Sequence, residues 1–174
     1  AKNAIQKARK QVAALIGAEP DEILFTSGGT ESNNTILYGI TSGRTNHIIT
    51  SAIEHEAILE PCKHLEKNGV KVTYLPVDKY GMVNSHDIAG SIIDRNSLVS
   101  IMFANNEVGT IQPIGSINTI CKKYQIPLHT DAVQAVGKIP INVKDPLLGV
   151  DALSISSHKI NGPKGVGALF IKKG

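Results

Sequence analysis

Short apolar runs alternate with amphipathic segments along almost the whole chain. Residues 2–16 carry apolar side chains at helical spacing, and Gly17 ends that run. Runs of four to seven apolar and β-branched residues, bounded by turn residues, recur downstream and are typical of buried strands. The predicted strands are 23–26, 47–52, 71–76, 98–104, 126–130, 151–156 and 166–171.

Helical periodicity fills most of the intervals between these strands. The predicted helices are 2–16, 31–39, 57–67, 87–95 and 116–124. Strands that alternate with helices are typical of βαβ units and therefore of a parallel sheet with helices on both faces. The last two strands are joined by only nine residues, 157–165, which is too short for a helical crossover. The pattern predicts an α/β fold, a three-layer αβα arrangement whose mainly parallel sheet has one antiparallel strand.

Composition places the chain among globular domains and excludes several functional classes. The 174 residues are 41% hydrophobic and 19% charged, enough to bury the core of one domain. A net charge of +3 from scattered side chains and an aromatic content of 4% do not indicate a nucleic-acid surface. No apolar run approaches the ~20 residues of a membrane span.

Cysteine usage and the chain start bear on compartment and completeness. Cys62 and Cys121 fit neither a disulfide framework nor a zinc site, and they are compatible with a reducing compartment such as the cytoplasm. The first residues lack the apolar core and cleavage site of a signal peptide. Because there is also no initiator Met, we expect a piece of a longer protein.

Polar residues capable of chemistry follow five of the predicted strands. Ligands of open α/β sheets bind beyond the carboxyl ends of the strands, so these residues are expected to converge on one site. The segments are Ser27–Glu31, Glu54–Glu56, Asn105–Glu107, Asp131–Gln134 and Ser157–Lys159.

Each of these segments also has an ordinary structural interpretation. SGGTES fits an anion cradle at a helix N-terminus, or a tight turn with Thr30 or Ser32 capping the helix; it is neither a Walker A loop nor a G-x-G-x-x-G loop. His55 lacks the second histidine of a zinc motif, so a capping role competes with a catalytic one. Asp131 is either a helix cap or a carboxylate that pairs with a protonated ring nitrogen.

Lys159 stands apart from the surface lysines. It lies in a short loop bounded by Gly and Pro between two buried strands, where an amine can be confined and react with an aldehyde. An anion cradle, an imidazole, an Asp, a Gln and this Lys together are the parts that a pyridoxal 5′-phosphate (PLP) site requires. No metal site is predicted.

Four motifs resemble those of the NifS/IscS-type cysteine desulfurases, a branch of the class V aminotransferases with PLP fold type I. The motifs are FTSGGTESNN (25–34), EHEAILEPC (54–62), NNEVGTIQPI (105–114), and HTDAVQAVGKIPI (129–141) leading to SISSHKINGPKGVGAL (154–169). The resemblance covers essentially all 174 residues. It implies the large cofactor-binding domain of an aspartate aminotransferase-like PLP-dependent transferase over residues 1–174, without the N-terminal segment and the C-terminal small domain.

The resemblance also implies a role for each site residue. Lys159 is the catalytic lysine that bonds to the cofactor aldehyde, and His55 stacks on the ring and helps to move protons. Asp131 pairs with the pyridine nitrogen and Gln134 with the phenolic oxygen. The remaining residues implied to bind PLP are Gly29, Thr30, Ser156 and His158 at the phosphate, and Asn106 beside the ring and the substrate carboxylate.

The activity implied is a sulfurtransferase reaction that removes sulfur from L-cysteine, giving L-alanine and an enzyme persulfide for iron–sulfur cluster assembly or tRNA thiolation. The implied partners are a second copy of the chain in a homodimer and sulfur-acceptor proteins such as an iron–sulfur scaffold. The persulfide cysteine of the family lies C-terminal to the lysine, so the isolated chain is expected to be inactive. The alternatives are a fragment or scaffold that binds PLP without turnover, and a related selenocysteine lyase.

Overall fold

The computed structural model describes residues 1–43 and 45–173. It contains five α-helices and seven strands within those residues. The helices are α1 (Lys2–Ile16), α2 (Gly29–Thr41), α3 (Glu56–Lys67), α4 (Ser85–Ser91) and α5 (Ile114–Tyr124). The strands are β1 (Ile23–Thr26), β2 (His47–Ser51), β3 (Lys71–Leu75), β4 (Ser97–Ser100), β5 (Leu128–Asp131), β6 (Ala152–Ser156) and β7 (Gly167–Ile171).

The strands form one mixed sheet in the order β1-β7-β6-β5-β4-β2-β3. Strand β7 runs antiparallel to both of its neighbours, pairing Phe170 with Ile23 of β1 and with Leu153 of β6. The other pairs are parallel. The predicted mainly parallel sheet with one antiparallel strand is therefore confirmed.

Helices cover both faces of this sheet, because successive side chains of the central strands point to opposite faces. On one face, Ile48 of β2 and Leu98 of β4 pack in one apolar cluster with α2 and α3. On the other, Ile49 and Val99 pack in a larger cluster with α1, α4 and α5. The three layers predicted from the sequence are present.

The predicted strand 98–104 is longer than the observed β4, which ends at Ser100. Beyond that point, the Ile101 and Phe103 N–H groups still donate to backbone carbonyls of the β5 region. The Met102 N–H group instead donates to the carboxylate of Glu54. A side chain thus replaces β2 as the partner of this segment, which ends the ladder on that side.

The prediction of α4 as residues 87–95 is also wrong at both ends. The helix begins at Ser85, because the side chain of Asn84 accepts a hydrogen bond from His86 N and caps it. It ends at Ser91, and Ile92 is already extended. Gly90 is a poor helix former near that end. The observed α1 and β1 match the predicted bounds, and the other elements differ from prediction by one or two residues at an end.

No helix among the described residues is long and apolar enough to cross a membrane.

Candidate active site

A cavity of about 180 Å³ lies at the carboxyl ends of the parallel strands. All of the site residues predicted from the sequence line it, so sheet topology does bring these distant segments together. They are Gly29, Thr30, His55, Asn106, Asp131, Gln134, Ser156, His158 and Lys159.

The N-terminus of α2 forms one wall of the cavity. Helix α2 begins at Gly29, and a Cβ atom added there would lie 2.7 Å from Val133 Cγ2, so only glycine permits this close approach. The first N–H groups of a helix lack intrahelical partners and attract anions. The sequence also allowed Thr30 or Ser32 to cap this helix, but neither does, because the N-cap is Gly28. The buried Ser32 hydroxyl lies 2.9 Å from Thr26 Oγ1 instead.

Asp131 ends β5 and is 7% exposed. Its Oδ2 accepts a 2.7 Å hydrogen bond from Asn33 Nδ2, and its Oδ1 accepts a 3.0 Å bond from Val133 N. Burial raises the pKa of Asp131, while these two hydrogen bonds and the nearby His55 act to lower it. Residues 133–138 form turns, so Asp131 does not cap a helix. A buried carboxylate supported in this way can pair with a cationic group of a ligand.

His55 combines the two roles that the sequence left open. Its Nδ1 atom accepts a 3.0 Å hydrogen bond from Ala57 N and caps α3, which leaves the ring proton on Nε2. The same ring lines the cavity. The cap fixes the imidazole in place, with its donor nitrogen free for a ligand. Within residues 1–43 and 45–173, no cluster of three or more His, Cys, Asp or Glu could hold a metal ion.

Lys159 lies in the 3-10 turn Ser157–Ile160 that follows β6. Within the described part of the chain, its amine makes no ion pair or hydrogen bond with other side chains or carbonyls, so it is available to a ligand. The hydroxyl of Ser156 lies 2.9 Å from His158 Nδ1, and these two polar side chains flank the same turn. The turn therefore presents a reactive amine together with two hydrogen-bonding groups.

Two amide side chains complete the rim. Asn106 is exposed at the cavity, and the neighbouring Asn105 is buried and accepts hydrogen bonds from Glu107 N and Val108 N. Asn105 thus shapes the loop that presents Asn106. Gln134 accepts from Lys138 Nζ through Oε1, which leaves its amide hydrogens available to an acceptor on a ligand.

Sequence reasoning missed Asn33, which lines the cavity and holds Asp131. Asn33 follows Gly29 by four residues in α2, so both lie on one helix face, and this spacing was the available signal. The sequence analysis also assigned no role to Glu54. This residue is 5% exposed, and its carboxyl group accepts hydrogen bonds from Ser51 Oγ and Met102 N. Burial raises the pKa of Glu54 to about 8.

These residues fit a phosphorylated pyridine aldehyde such as PLP. An apolar cavity of about 150 Å³ is enough to hold a benzene ring. The α2 N-terminus can bind a phosphate, Asp131 a protonated ring nitrogen and Lys159 an aldehyde.

Curated cysteine desulfurases are similar to this chain over nearly its whole length. The enzyme named IscS from Dictyoglomus turgidum is 56% identical over 176 aligned residues, which cover 99% of this chain and 44% of the relative. The IscS of Methanosarcina thermophila is also 56% identical, covering 99% and 43%. The chain therefore spans less than half the length of these relatives.

Solved structures show the same likeness. A structure described as SspA in complex with cysteine superposes with a TM-score of 0.93 at 42% identity, over 97% of this chain and 49% of the other. A NifS-like protein superposes with a TM-score of 0.92 at 47% identity, over 98% and 47%. The family model described as aminotransferase class-V matches residues 1–174. The chain belongs to the class-V aminotransferase family, and its relatives there are cysteine desulfurases of the NifS/IscS type.

Proposed function

We propose that residues 1–174 are the PLP-binding domain of a cysteine desulfurase. The substrate is L-cysteine, and the products are L-alanine and sulfur held as an enzyme persulfide. The observation that carries this proposal is the meeting of Lys159, Asp131 and the N-terminus of α2 at one cavity. The similarity to curated desulfurases supports it.

The cavity residues divide between holding the cofactor and moving protons. Gly29 and Thr30 hold the phosphate at the N-terminus of α2, and Ser156 and His158 hold it from the turn after β6. Gln134 donates to the phenolic oxygen. Asn106 lies at the rim, where it binds the substrate carboxylate.

The chemistry needs a group that accepts electron density and a base beside it. When bound, PLP supplies the electron sink for bond cleavage next to the substrate nitrogen. Asp131 holds the proton on the ring nitrogen, which keeps that sink effective. Lys159 would hold the cofactor through its aldehyde, and its amine, when free, would transfer protons between substrate atoms. His55, which lines the cavity and has its Nε2 proton available for donation, would help to hold the ring and move protons.

The test is whether the chain binds PLP covalently through Lys159. Purified chain mixed with PLP should develop a visible absorbance band, and borohydride reduction should leave the cofactor mass on the peptide that contains Lys159. Lys159→Ala should abolish both signals because it removes the only amine of the turn that lines the cavity.

Lys164→Ala is the matched control, because Lys164 lies in the same loop but does not line the cavity. It should retain both the band and the adduct. A reducible adduct that survives in Lys159→Ala and disappears in Lys164→Ala would overturn the assignment.

We further propose that the protein works as a homodimer and passes sulfur to acceptor proteins such as an iron–sulfur scaffold. The support is the family resemblance. Both cysteines are free and buried, which suits a reducing compartment, and we place the protein in the cytoplasm. Analytical ultracentrifugation of the full-length protein checks the dimer, and a PLP-loaded monomer with full activity would contradict it.

A further inference from the structure

We propose that Asn33 is a positioning residue, whose side-chain amide keeps the Asp131 carboxylate ionised and oriented toward the cofactor ring nitrogen. This inference rests on the proposed function, since it assigns a role within the same site. It concerns a side chain that touches Asp131 rather than the reacting atoms.

The contact between the two side chains is short and buried. Asn33 is fully buried, and its Nδ2 donates to Asp131 Oδ2 over 2.7 Å. Reversing the amide would place Oδ1 against a carboxylate oxygen, so that two acceptors would face each other. The amide orientation is therefore set by Asp131.

That orientation has a cost for Asn33 itself. Its Oδ1 is the one buried side-chain oxygen or nitrogen within residues 1–43 and 45–173 that has no hydrogen-bond partner. Leaving a buried acceptor unpaired is unfavourable, and such groups are rare in folded proteins. The unpaired oxygen belongs to a side chain that lines the cavity, which supports a role for Asn33 in the site rather than in the packing of α2 alone.

The surroundings of Asp131 explain why it needs a donor. Burial favours the neutral acid, and the hydrogen bond from Asn33 is the largest of the influences that favour the carboxylate. The buried Glu54 carboxyl also couples to Asp131, and this coupling contributes to the raised pKa of Glu54, which leaves Asp131 as the carboxyl of the two that ionises first. The nearby His55, at the start of α3, lowers the pKa of Asp131. Without Asn33, the Asp131 side chain keeps one hydrogen bond to the described residues, from Val133 N.

Protonation of Asp131 would remove its electrostatic interaction with the cofactor ring. A neutral carboxylic acid does not form an ion pair with a pyridinium nitrogen, and it stabilises the ring proton less. Asn33 thus controls the affinity for the cofactor and the charge on its ring through Asp131.

The first measurement is made without cofactor. The protein is labelled with ¹³C at Asp carboxyl carbons, and the Asp131 signal is identified by its loss in Asp131→Asn. Asn33→Leu keeps a similar volume but has no donor, so the pKa of Asp131 should rise by about one unit or more. Asn34→Leu is the matched control, because Asn34 donates to Thr30 O within its own helix. It should leave the Asp131 pKa unchanged.

An unshifted Asp131 pKa in Asn33→Leu would overturn the proposal. If that variant does not fold, Asn33→Ala replaces it, and a rise in the Asp131 pKa is again required.

The second measurement uses PLP. Asn33→Leu should weaken binding by up to about tenfold on the acid side of the Asp131 titration, and the loss should shrink as the pH rises and Asp131 ionises. In an Asp131→Asn background, Asn33→Leu should have no further effect on affinity. A loss that is independent of pH would indicate a structural role only and would overturn the proposal. Failure of the unsubstituted chain to bind PLP would overturn the proposed function, while the carboxyl titration would still decide the role of Asn33.

Discussion

Among single residues, Glu54 is a buried titratable group outside the cavity lining whose pKa is strongly shifted. It is almost fully buried, its Oε1 lies 2.6 Å from Ser51 Oγ, and both of its oxygens lie 3.0 Å from Met102 N. Burial raises its pKa from 4.5 to about 8, so the folded protein carries Glu54 as the neutral acid at pH 7. The unfolded chain carries it as a carboxylate at that pH.

Glu54→Gln should therefore change how stability depends on pH. Between pH 4.5 and about 8 the folded state holds a proton that the unfolded state has lost, so this group's contribution to stability falls as pH rises through that window. Glutamine imitates the neutral acid and does not titrate. Relative to wild type, the variant should gain roughly 2–4 kcal/mol between pH 5 and pH 9.

Urea unfolding of both proteins at several pH values measures this difference. Groups that titrate in both proteins contribute equally to the two free energies, so their contributions cancel in the difference. Parallel stability curves for the two proteins over that range would show that Glu54 is ionised in the folded state.

Strand-end placement together with the family resemblance was enough to predict residues that line one cavity, because strand ends converge on one edge of a sheet. Their roles toward a cofactor stay predictions. The contacts behind those residues were not predictable in this way. The bond from Asn33 to Asp131 joins α2 to β5, and the bonds from Glu54 join β2 to the end of β4. Such pairings depend on helix rotation and on side-chain geometry in three dimensions, which a one-dimensional pattern does not encode. The same holds for the early end of β4, which a side chain brings about.

At the scale of elements, the N-terminus of α2 packs closely against the turn that follows β5. This contact shapes the part of the cavity that is suited to bind an anion. Gly29 makes this approach possible because a Cβ atom there would lie 2.7 Å from Val133 Cγ2. Val133 also lines the cavity, so any adjustment at this contact changes the site.

Gly29→Ala should lower the free energy of unfolding by about 1–3 kcal/mol through overpacking and weaken PLP binding. Gly39→Ala is the matched control in the same helix, because a Cβ atom there would meet no atom within 4 Å. That control should gain about 0.5–1 kcal/mol, as alanine generally does over glycine in a helix. Urea unfolding and PLP titration of both variants measure the contrast. Equal stability of the two variants would mean that Val133 moves aside without cost.

At the scale of the whole molecule, the two cysteines lie in the helical layers on opposite faces of the sheet. Cys62 of α3 is fully buried, and Cys121 of α5 is 1% exposed. Burial raises the pKa of each thiol to about 12, so neither supplies a thiolate at neutral pH. A persulfide acceptor must reach a ligand beyond the strand ends, and neither cysteine lines the cavity there.

The 174-residue chain alone should therefore not release alanine from cysteine at an enzymatic rate. The assay supplies cysteine, PLP and a reductant, and a Cys62→Ala/Cys121→Ala double variant serves as the control. Both proteins should give the same low background. Rapid alanine production that the double variant loses would identify one of these cysteines as the sulfur acceptor.

The position of β7 between β1 and β6 has a consequence for the order in which the protein assembles. Strand β1 comes near the start of the chain, yet its hydrogen-bonding partner, β7, is the last strand described. During synthesis on a ribosome, the partner that the described residues offer β1 emerges only after almost all of them. Pairing over such a long sequence separation is slow because a large loop must close first. The phosphate cradle that follows β1 and the lysine turn that precedes β7 are anchored in the same sheet by that pairing. Among the described residues, the cofactor pocket is therefore completed late, and β1 is exposed to incorrect pairing until then.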